Sequence, residues 1–183
     1  AVEITLSKTS YQPQETLQAK IEGSFVSLSE ENILIFKGDK VHQEPVIKGL
    51  TKYNELYYFY AVLPNTEGNY SIIIKDVEYS ENGEIKSDQI IKNFTIEFSN
   101  NSALSFKPGF IVSENKGELI VKNIYKTILL TVIFDGTNQT IVRTLNEGKE
   151  EKILFSRANF TNEVSKIFLN EYEIPVFFLK KIE

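Results

Sequence analysis

The sequence predicts an all-β protein, two antiparallel β-sandwiches in tandem, and three observations carry that expectation. Apolar residues recur at every second position along most of the chain, whereas no window keeps them at i, i+3, i+4 and i+7 beyond one or two turns. Turn residues interrupt this alternation at short intervals, as they do in sandwiches. The 183 residues are long for one small sandwich and suit two cores of about 90 to 100 residues each. With 42% apolar residues, 13 Phe and 9 Tyr, there is ample side-chain volume to fill both.

The first strand is "VEITLS", with Val2, Ile4 and Leu6 on one face, and the next is "TLQAKIEG", with Leu17, Ala19 and Ile21 inward. Between them stands Pro13, which has no amide donor and a fixed φ, so it marks a passage between strands and between sheets. Further strands read as "NILIFKG", "KVHQEPVI", "ELYYFYAVLP" and "NYSIIIKDVEY", then a long return "EIKSDQIIKNFTIEF". Asn82-Gly83 is a tight-hairpin signal, because both residues tolerate positive φ. In "EGNYSIIIKD", Tyr70 follows a glycine-containing corner and opens a strand, which resembles the tyrosine corner of immunoglobulin-like domains.

Polar residues Ser99 to Ser102, followed by Pro108-Gly109, place a domain boundary near Asn100, giving domains 1–99 and 100–183. The second half reads as "FIVS", "GELIVKNI", "TILLTVIFDG", "QTIVRTL", "EKILFS", "VSKIFLN" and "YEIPVFFLKK", with turns at Asp135-Gly136, Glu147-Gly148 and Asn170. Pro175 inside the last run predicts an edge or sheet-switching strand. The run Val176 to Leu179 is apolar on both faces, so that strand is expected to be central in its sheet or joined to another chain.

Charge and composition exclude several functions. A net charge of -5 and the lack of a basic stripe argue against nucleic-acid binding. No run of about 18 apolar residues is present to span a bilayer. The chain opens at Ala1 and contains no Met, so a processed mature chain or a fragment of a longer one is expected. Zero Cys removes disulfides, thiol catalysis and Cys-ligated zinc. His42 is the one histidine and reads as an exposed strand residue, with no serine positioned beside it for a triad and no set of three His for a metal. Glu30-Glu31 and Glu150-Glu151 read as exposed charge. Calcium donors would come from Glu30, Glu31 and Asp39, or from Asp76, Glu78 and Asp88, but without EF-hand spacing. No catalytic residue, metal site or cofactor is expected, and no enzyme activity.

Five Asn-x-Ser/Thr sequons occur, at Asn69, Asn93, Asn100, Asn138 and Asn159. With 15 Asn and 26 Ser plus Thr in the chain, chance predicts about two. Alternation in "NFTIEF" sends Phe94, Ile96 and Phe98 to one face and Asn93 to the other, and the remaining four sequons lie near turns or in loops. N-glycosylation is therefore expected, and with it export to the cell surface. "ELYYFYAVL" divides into Tyr57, Phe59 and Ala61 on one face and Tyr58, Tyr60 and Val62 on the other. Tyr58 and Tyr60, together with Val176, Phe177 and Phe178, are the candidate interaction face.

"YQPQETLQAKIEG", "YYFYAVLPNTEGNYSIIIKDVEY" and "IKNFTI" resemble immunoglobulin-like, macroglobulin-type repeats of exported archaeal surface proteins. "FKPGFIVS", "GELIVKN" and "YEIPVFF" resemble the domain that tends to follow. Such repeats usually show YxPGE, and Gln14 replaces the glycine, so a turn that needs positive φ there would be strained. The resemblance implies an extracellular, β-rich ectodomain of structural or adhesive use. The expected function is thus a non-catalytic structural or adhesive module, one form being a filament or surface-layer subunit joined through β-edges or end to end. The partners are further copies, other surface proteins or glycans. A carbohydrate- or ligand-binding module using Tyr58 and Tyr60 is the alternative, and a strand-lending assembly chaperone a third.

Overall fold

A computed structural model describes residues 1–38 and 42–180. The chain divides into two compact units, Ala1–Ser99 and Asn100–Glu183. Apart from two single-turn 3-10 segments at Glu30–Asn32 and Arg157–Asn159, the regular structure among the described residues is strand.

The first unit contains β1 (Glu3–Leu6), β2 (Ser10–Tyr11), β3 (Thr16–Glu22), β4 (Ser24–Phe25), β5 (Ile33–Lys37), β6 (His42–Glu44), β7 (Ile47–Tyr53), β8 (Leu56–Val62), β9 (Gly68–Ile74), β10 (Tyr79–Glu81), β11 (Glu84–Lys86) and β12 (Ile90–Ile96). One sheet has the order β1-β3-β8-β7 and the other β2-β12-β9-β5-β6, with a small β11-β10-β4 sheet besides. This is the strand order of immunoglobulin-like sandwiches, with the first strand divided between the two sheets. Alternation explains why the sheets face each other. Ile4, Leu17, Ala19, Ile21 and Phe59 of one sheet share a core with Ile33, Ile35, Ile72, Ile74, Phe94 and Ile96 of the other, all nearly excluded from solvent.

The passage at Pro13 is a turn from Gln12 to Glu15, closed by Glu15 N–H donating to the Gln12 carbonyl at 3.1 Å. Gln14 has φ 69, the left-handed value that the missing glycine would supply. The Asn82-Gly83 hairpin forms as the sequence signals, with φ 51 and 80, between the paired residues Glu81 and Glu84. The tyrosine corner is present too: Tyr70 Oη donates to the Thr66 carbonyl at 2.6 Å, four residues upstream. Its ring stacks on Phe94 at 5.7 Å, and Phe94 meets Tyr11 edge-on at 5.9 Å.

One strand of this unit escapes the alternation. The run expected as a single strand through Pro45 is two, β6 and β7, separated at Pro45-Val46, and β7 belongs to the opposite sheet. Proline without a ladder donor is the natural breaking point.

The second unit contains β13 (Leu104–Lys107), β14 (Ile111–Ser113), β15 (Lys116–Asn123), β16 (Ile128–Phe134), β17 (Thr140–Leu145), β18 (Glu150–Ser156), β19 (Val164–Leu169) and β20 (Tyr172–Phe178). Its sheets run β13-β15-β18 and β14-β20-β19-β16-β17. Leu119, Val121, Ile153 and Phe155 of the first face Leu130, Val132, Ile167, Ile174 and Val176 of the second in one core. Pro175 does not mark an edge strand, because β20 lies between β14 and β19. β20 pairs with β19 from Tyr172 to Phe177, but with β14 only from Val176 onward. Pro175 therefore sits just before the second ladder starts, where its missing donor strands nothing.

Two substitutions test these local features. Gln14→Gly is expected to raise stability by about 0.5 to 1 kcal/mol by relieving the left-handed cost, against a small loss from the exposed Gln14–Asn65 contact. Tyr70→Phe is expected to lower it by about 1 kcal/mol, the worth of one hydrogen bond. Denaturant midpoints of the three proteins at constant slope would give both values.

Candidate interaction faces and modification sites

The predicted aromatic row is built by the pairing of β8 with β7 and β3. Tyr57, Phe59 and Ala61 enter the core, while Tyr58 and Tyr60 point to the outer face of the sheet. That face does not offer two open rings. Tyr60 is only 9% exposed and Tyr58 half-buried, because Gly49 lies directly opposite Tyr60 and a Cβ there would come within 2.6 Å of the ring. The ring therefore lies down on β7 instead of standing in solvent. Burial pushes the phenol of Tyr60 above its ordinary value, assisted by nearby Glu30, and burial does the same to Tyr58.

Val176, Phe177 and Phe178 are not an exposed face either. They are 0, 2 and 2% exposed: Val176 and Phe178 enter the core, and Phe177, on the opposite side of the sheet, lies between Val112 and Val164. The exposed apolar side chains surround them instead. Val112, Phe177 and Val164 lie across β14, β20 and β19 in register, on the side away from the core, with Val112 and Val164 41% and 49% exposed. Leu129 on β16 and Val142 on β17 project from the same side, 60% and 46% exposed. Alternation could place these residues outside, but the identity of the middle strand had to come from the sheet order.

Of the sequon asparagines, Asn69, Asn93, Asn100 and Asn138 are exposed and Asn159 is half-buried. Asn69 opens the second residue of β9, Asn93 sits in the middle of β12, Asn138 lies in the β16–β17 hairpin and Asn159 ends the 3-10 turn at Arg157–Asn159.

The remaining candidate chemistry is dispersed. His42 is exposed on β6, and Asp39 lies outside the described residues. Among the described residues no group of three His, Asp or Glu side chains converges as a metal site would require. Glu150 and Glu151 begin β18, where Glu151 faces Arg143 Nε at 3.8 Å. The one buried acid among the described residues was not singled out by the sequence: Glu15, 1% exposed, accepts from the Gln12 amide at 2.8 Å and from Lys8 Nζ at 2.6 Å. Its signal was its place after the Pro13 turn. Lys48 Nζ donates to the Ile33 carbonyl at 2.9 Å, and burial pulls its ammonium down despite Glu30 and Glu31. Among the described residues no helix is long and apolar enough to cross a membrane.

No family model and no curated protein matches the chain. Among solved structures it is similar to the titin domains Z1Z2 in complex with telethonin, at 13% identity over 98% of each chain with a TM-score of 0.29. It is also similar to a chimeric titin Z1Z2 functionalised with an exogenous KLER peptide from decorin, at 11% identity over 97% of each chain and a TM-score of 0.28. FdeC, an Escherichia coli adhesin, matches at 10% identity over 97% of this chain and 64% of its own, with a TM-score of 0.28. Strand order and the facing cores define the fold without these likenesses.

The buried phenols set an alkaline limit. Tyr11, Tyr58, Tyr60 and Tyr70 are all raised above 10.0, chiefly by burial. Each favours the neutral form in the folded state, so its contribution is intact below pH 10 and is lost as pH climbs from there through the raised folded value. Lys48, lowered from 10.5, works the other way and adds stability as pH rises towards that value, one group against four. Denaturant titrations between pH 8 and 12 are expected to show a falling midpoint above about pH 10.

Proposed function

We propose that the chain is a non-catalytic structural or adhesive module displayed outside the cell, whose copies associate into a filament or surface layer. The observation that carries this reading is the apolar row of Val112, Phe177 and Val164 at one end of the outer face of the five-stranded sheet in the second unit. Leu129 and Val142 are exposed on the same side at the other end, with the Lys166–Glu173 ion pair between. Exposed aliphatic residues grouped on one sheet face favour a partner surface. A second copy of the chain is the occupant that needs no further component, and a head-to-tail contact that does not close would propagate. The exposed sequons support export, and glycans there would keep other faces soluble.

Within this reading each of the two units is a domain that folds on its own, because each encloses a separate core cluster. The groups with shifted ionisation are moved chiefly by burial: Tyr11 and Tyr70 pack on Phe94, Tyr58 and Tyr60 lie on the outer side of β8, and Lys48 donates to the Ile33 carbonyl, with Glu30 acting on both Tyr60 and Lys48.

Light scattering over a concentration series tests association. The expected result is a mass above the 21.0 kDa of one chain that rises with concentration. Val112→Lys combined with Val164→Lys is expected to hold the protein at monomer mass while leaving its melting unchanged. A native protein that stays monomeric at every concentration would sink the proposal.

A further inference from the structure

The sequons are not independent of one another. Four of the five form two contacting pairs, and the contacts join segments about twenty residues apart in the chain. We infer that one asparagine of each pair is a sugar acceptor and the other a structural residue: Asn69 and Asn138 carry the glycans, whereas Asn93 and Asn159 hold the fold. This rests on the reading that the sequons are glycosylated.

In the first unit the β9–β12 register sets Asn93 opposite Ser71 and Thr95 opposite Asn69. Each sequon's asparagine thus faces the other sequon's hydroxyl residue. Ser71 is 3% exposed and its Oγ donates to Asn93 Oδ1 at 2.7 Å. Asn93 is the acceptor for this buried hydroxyl, in the middle of a strand bounded by β9 along its length and by β2 from Thr95. The bond fixes the direction of the Asn93 amide, and a sugar on Nδ2 would have to grow from that fixed direction along the sheet face, while turning the amide away would leave Ser71 without its acceptor. Asn69, by contrast, directly follows the corner at Gly68, and is exposed. The two asparagines are diagonal neighbours on one face, about 7 Å apart, and both line a single shallow cleft of about 530 Å³. A sugar on either asparagine would therefore cover the other.

In the second unit the same relation appears with different parts. Asn159 Oδ1 accepts from the Ser156 amide at 2.8 Å, and its Nδ2 donates to Gln139 Oε1 at 2.7 Å. Gln139 is the central residue of the Asn138 sequon. Thr137, just before that sequon, donates its hydroxyl to the Asn159 carbonyl at 2.5 Å. Both amide atoms of Asn159 are therefore committed, one to the cap of the 3-10 turn and one to the hairpin. The first unit shows that the turn alone accounts for this asparagine. Asn32 closes the other 3-10 turn in the same way, accepting from the Ser29 amide at 3.0 Å and donating to the carbonyls of Lys75 and Asp76 at 3.1 and 3.2 Å. It is followed by Ile33-Leu34 and is no sequon. Asn138 lies exposed in its hairpin with φ 59.

The modification joins Nδ2 to the anomeric carbon of a lipid-linked sugar phosphate. The C–O bond to phosphate breaks, the lipid phosphate leaves, and the amide gives up one proton. An Nδ2 that protrudes into water accepts this substituent at no structural cost. Asn159 Nδ2 already donates to Gln139 and would lose that bond; at Asn93 the fixed group is Oδ1, so the limit there is the orientation set by Ser71 and the nearness of Asn69.

Glycopeptide mass spectrometry of native material tests the assignment. Sugar is expected at Asn69 and Asn138 and absent from Asn93 and Asn159. Sugar at both members of a pair in one molecule, or preferentially at Asn93 or Asn159, overturns it. Sugar confined to Asn100 also overturns it while leaving the glycosylation reading intact, and sugar at none of the five removes that reading itself. Protein made without glycosylation gives a second readout: Asn159→Gln is expected to lower the melting temperature by about 5 °C, and Asn138→Gln to leave it unchanged. Equal shifts would overturn the structural role of Asn159.

Discussion

A sandwich whose first strand is shared by two sheets must carry the backbone from one layer to the other without stranding its polar groups. In the first unit that crossing runs from β1 through β2 to β3, and it is the place where the core and the chain path constrain each other most tightly. Tyr11, Gln12, Glu15 and Thr16 are all buried there. The Glu15 carboxylate would be costly as an isolated charge, by several kcal/mol. It is held instead by Lys8 Nζ on one oxygen and the Gln12 amide on the other. The Tyr11 hydroxyl accepts from the Lys8 amide at 3.0 Å, so the acid, the lysine and the aromatic cluster behind Tyr70 brace one another. The left-handed Gln14 persists because this surrounding leaves the turn no alternative.

The second unit solves the same crossing without a buried acid. Between β13 and β14 lies Pro108-Gly109, and the amide of Leu104 at the start of β13 is met by the Tyr172 hydroxyl at 3.2 Å. Asn123, fully buried, donates to the Leu145 and Lys126 carbonyls and ties the end of β15 to the turns around it. Both units also use a glycine to seat a ring on the neighbouring strand. Gly49 lies under Tyr60, and Gly117 under Phe155, each as a cross-strand pair. Sheet packing in this protein therefore depends on pairs of one small and one large residue, and such pairs also decide which aromatic rings reach solvent.

Alternation made most strands and the facing cores legible in the sequence, because period two survives wherever one face is buried. Turn chemistry was equally legible at Asn82-Gly83 and at the Tyr70 corner, both of which depend on residues next to one another in the chain. β7 was not, since "IKGLTKY" has one large apolar residue, Leu50, on its inward side and a glycine opposite Tyr60. Pro175 misled for a related reason: whether a proline breaks a ladder depends on where the neighbouring strand begins, and β14 begins one residue later. The exposure of Tyr60, the burial of Phe177 and the contacts between sequons all depend on register between distant segments. Local pattern has no access to that quantity.

Register also makes the two units differ where their strand orders agree. On the outer face of the five-stranded sheet, the positions of β2, β12 and β9 in the first unit carry Ser10, Thr95, Asn93, Asn69 and Ser71. The corresponding strands β14, β20 and β19 carry Val112, Phe177, Pro175 and Val164 at one end, and the exposed ion pair of Lys166 and Glu173 beyond them. Both sets stand on the same strand order. The contrast is local: the first face is polar around Asn69 and Asn93 but apolar at Ile73, Ile91, Leu34 and Phe36, and the second is apolar around Phe177 but charged at Lys166 and Glu173. A glycan at Asn69 would cover the first and keep it hydrated. Among the described residues no sequon asparagine lies on β14, β20 or β19, and the aliphatic side chains there remain open to a neighbouring chain.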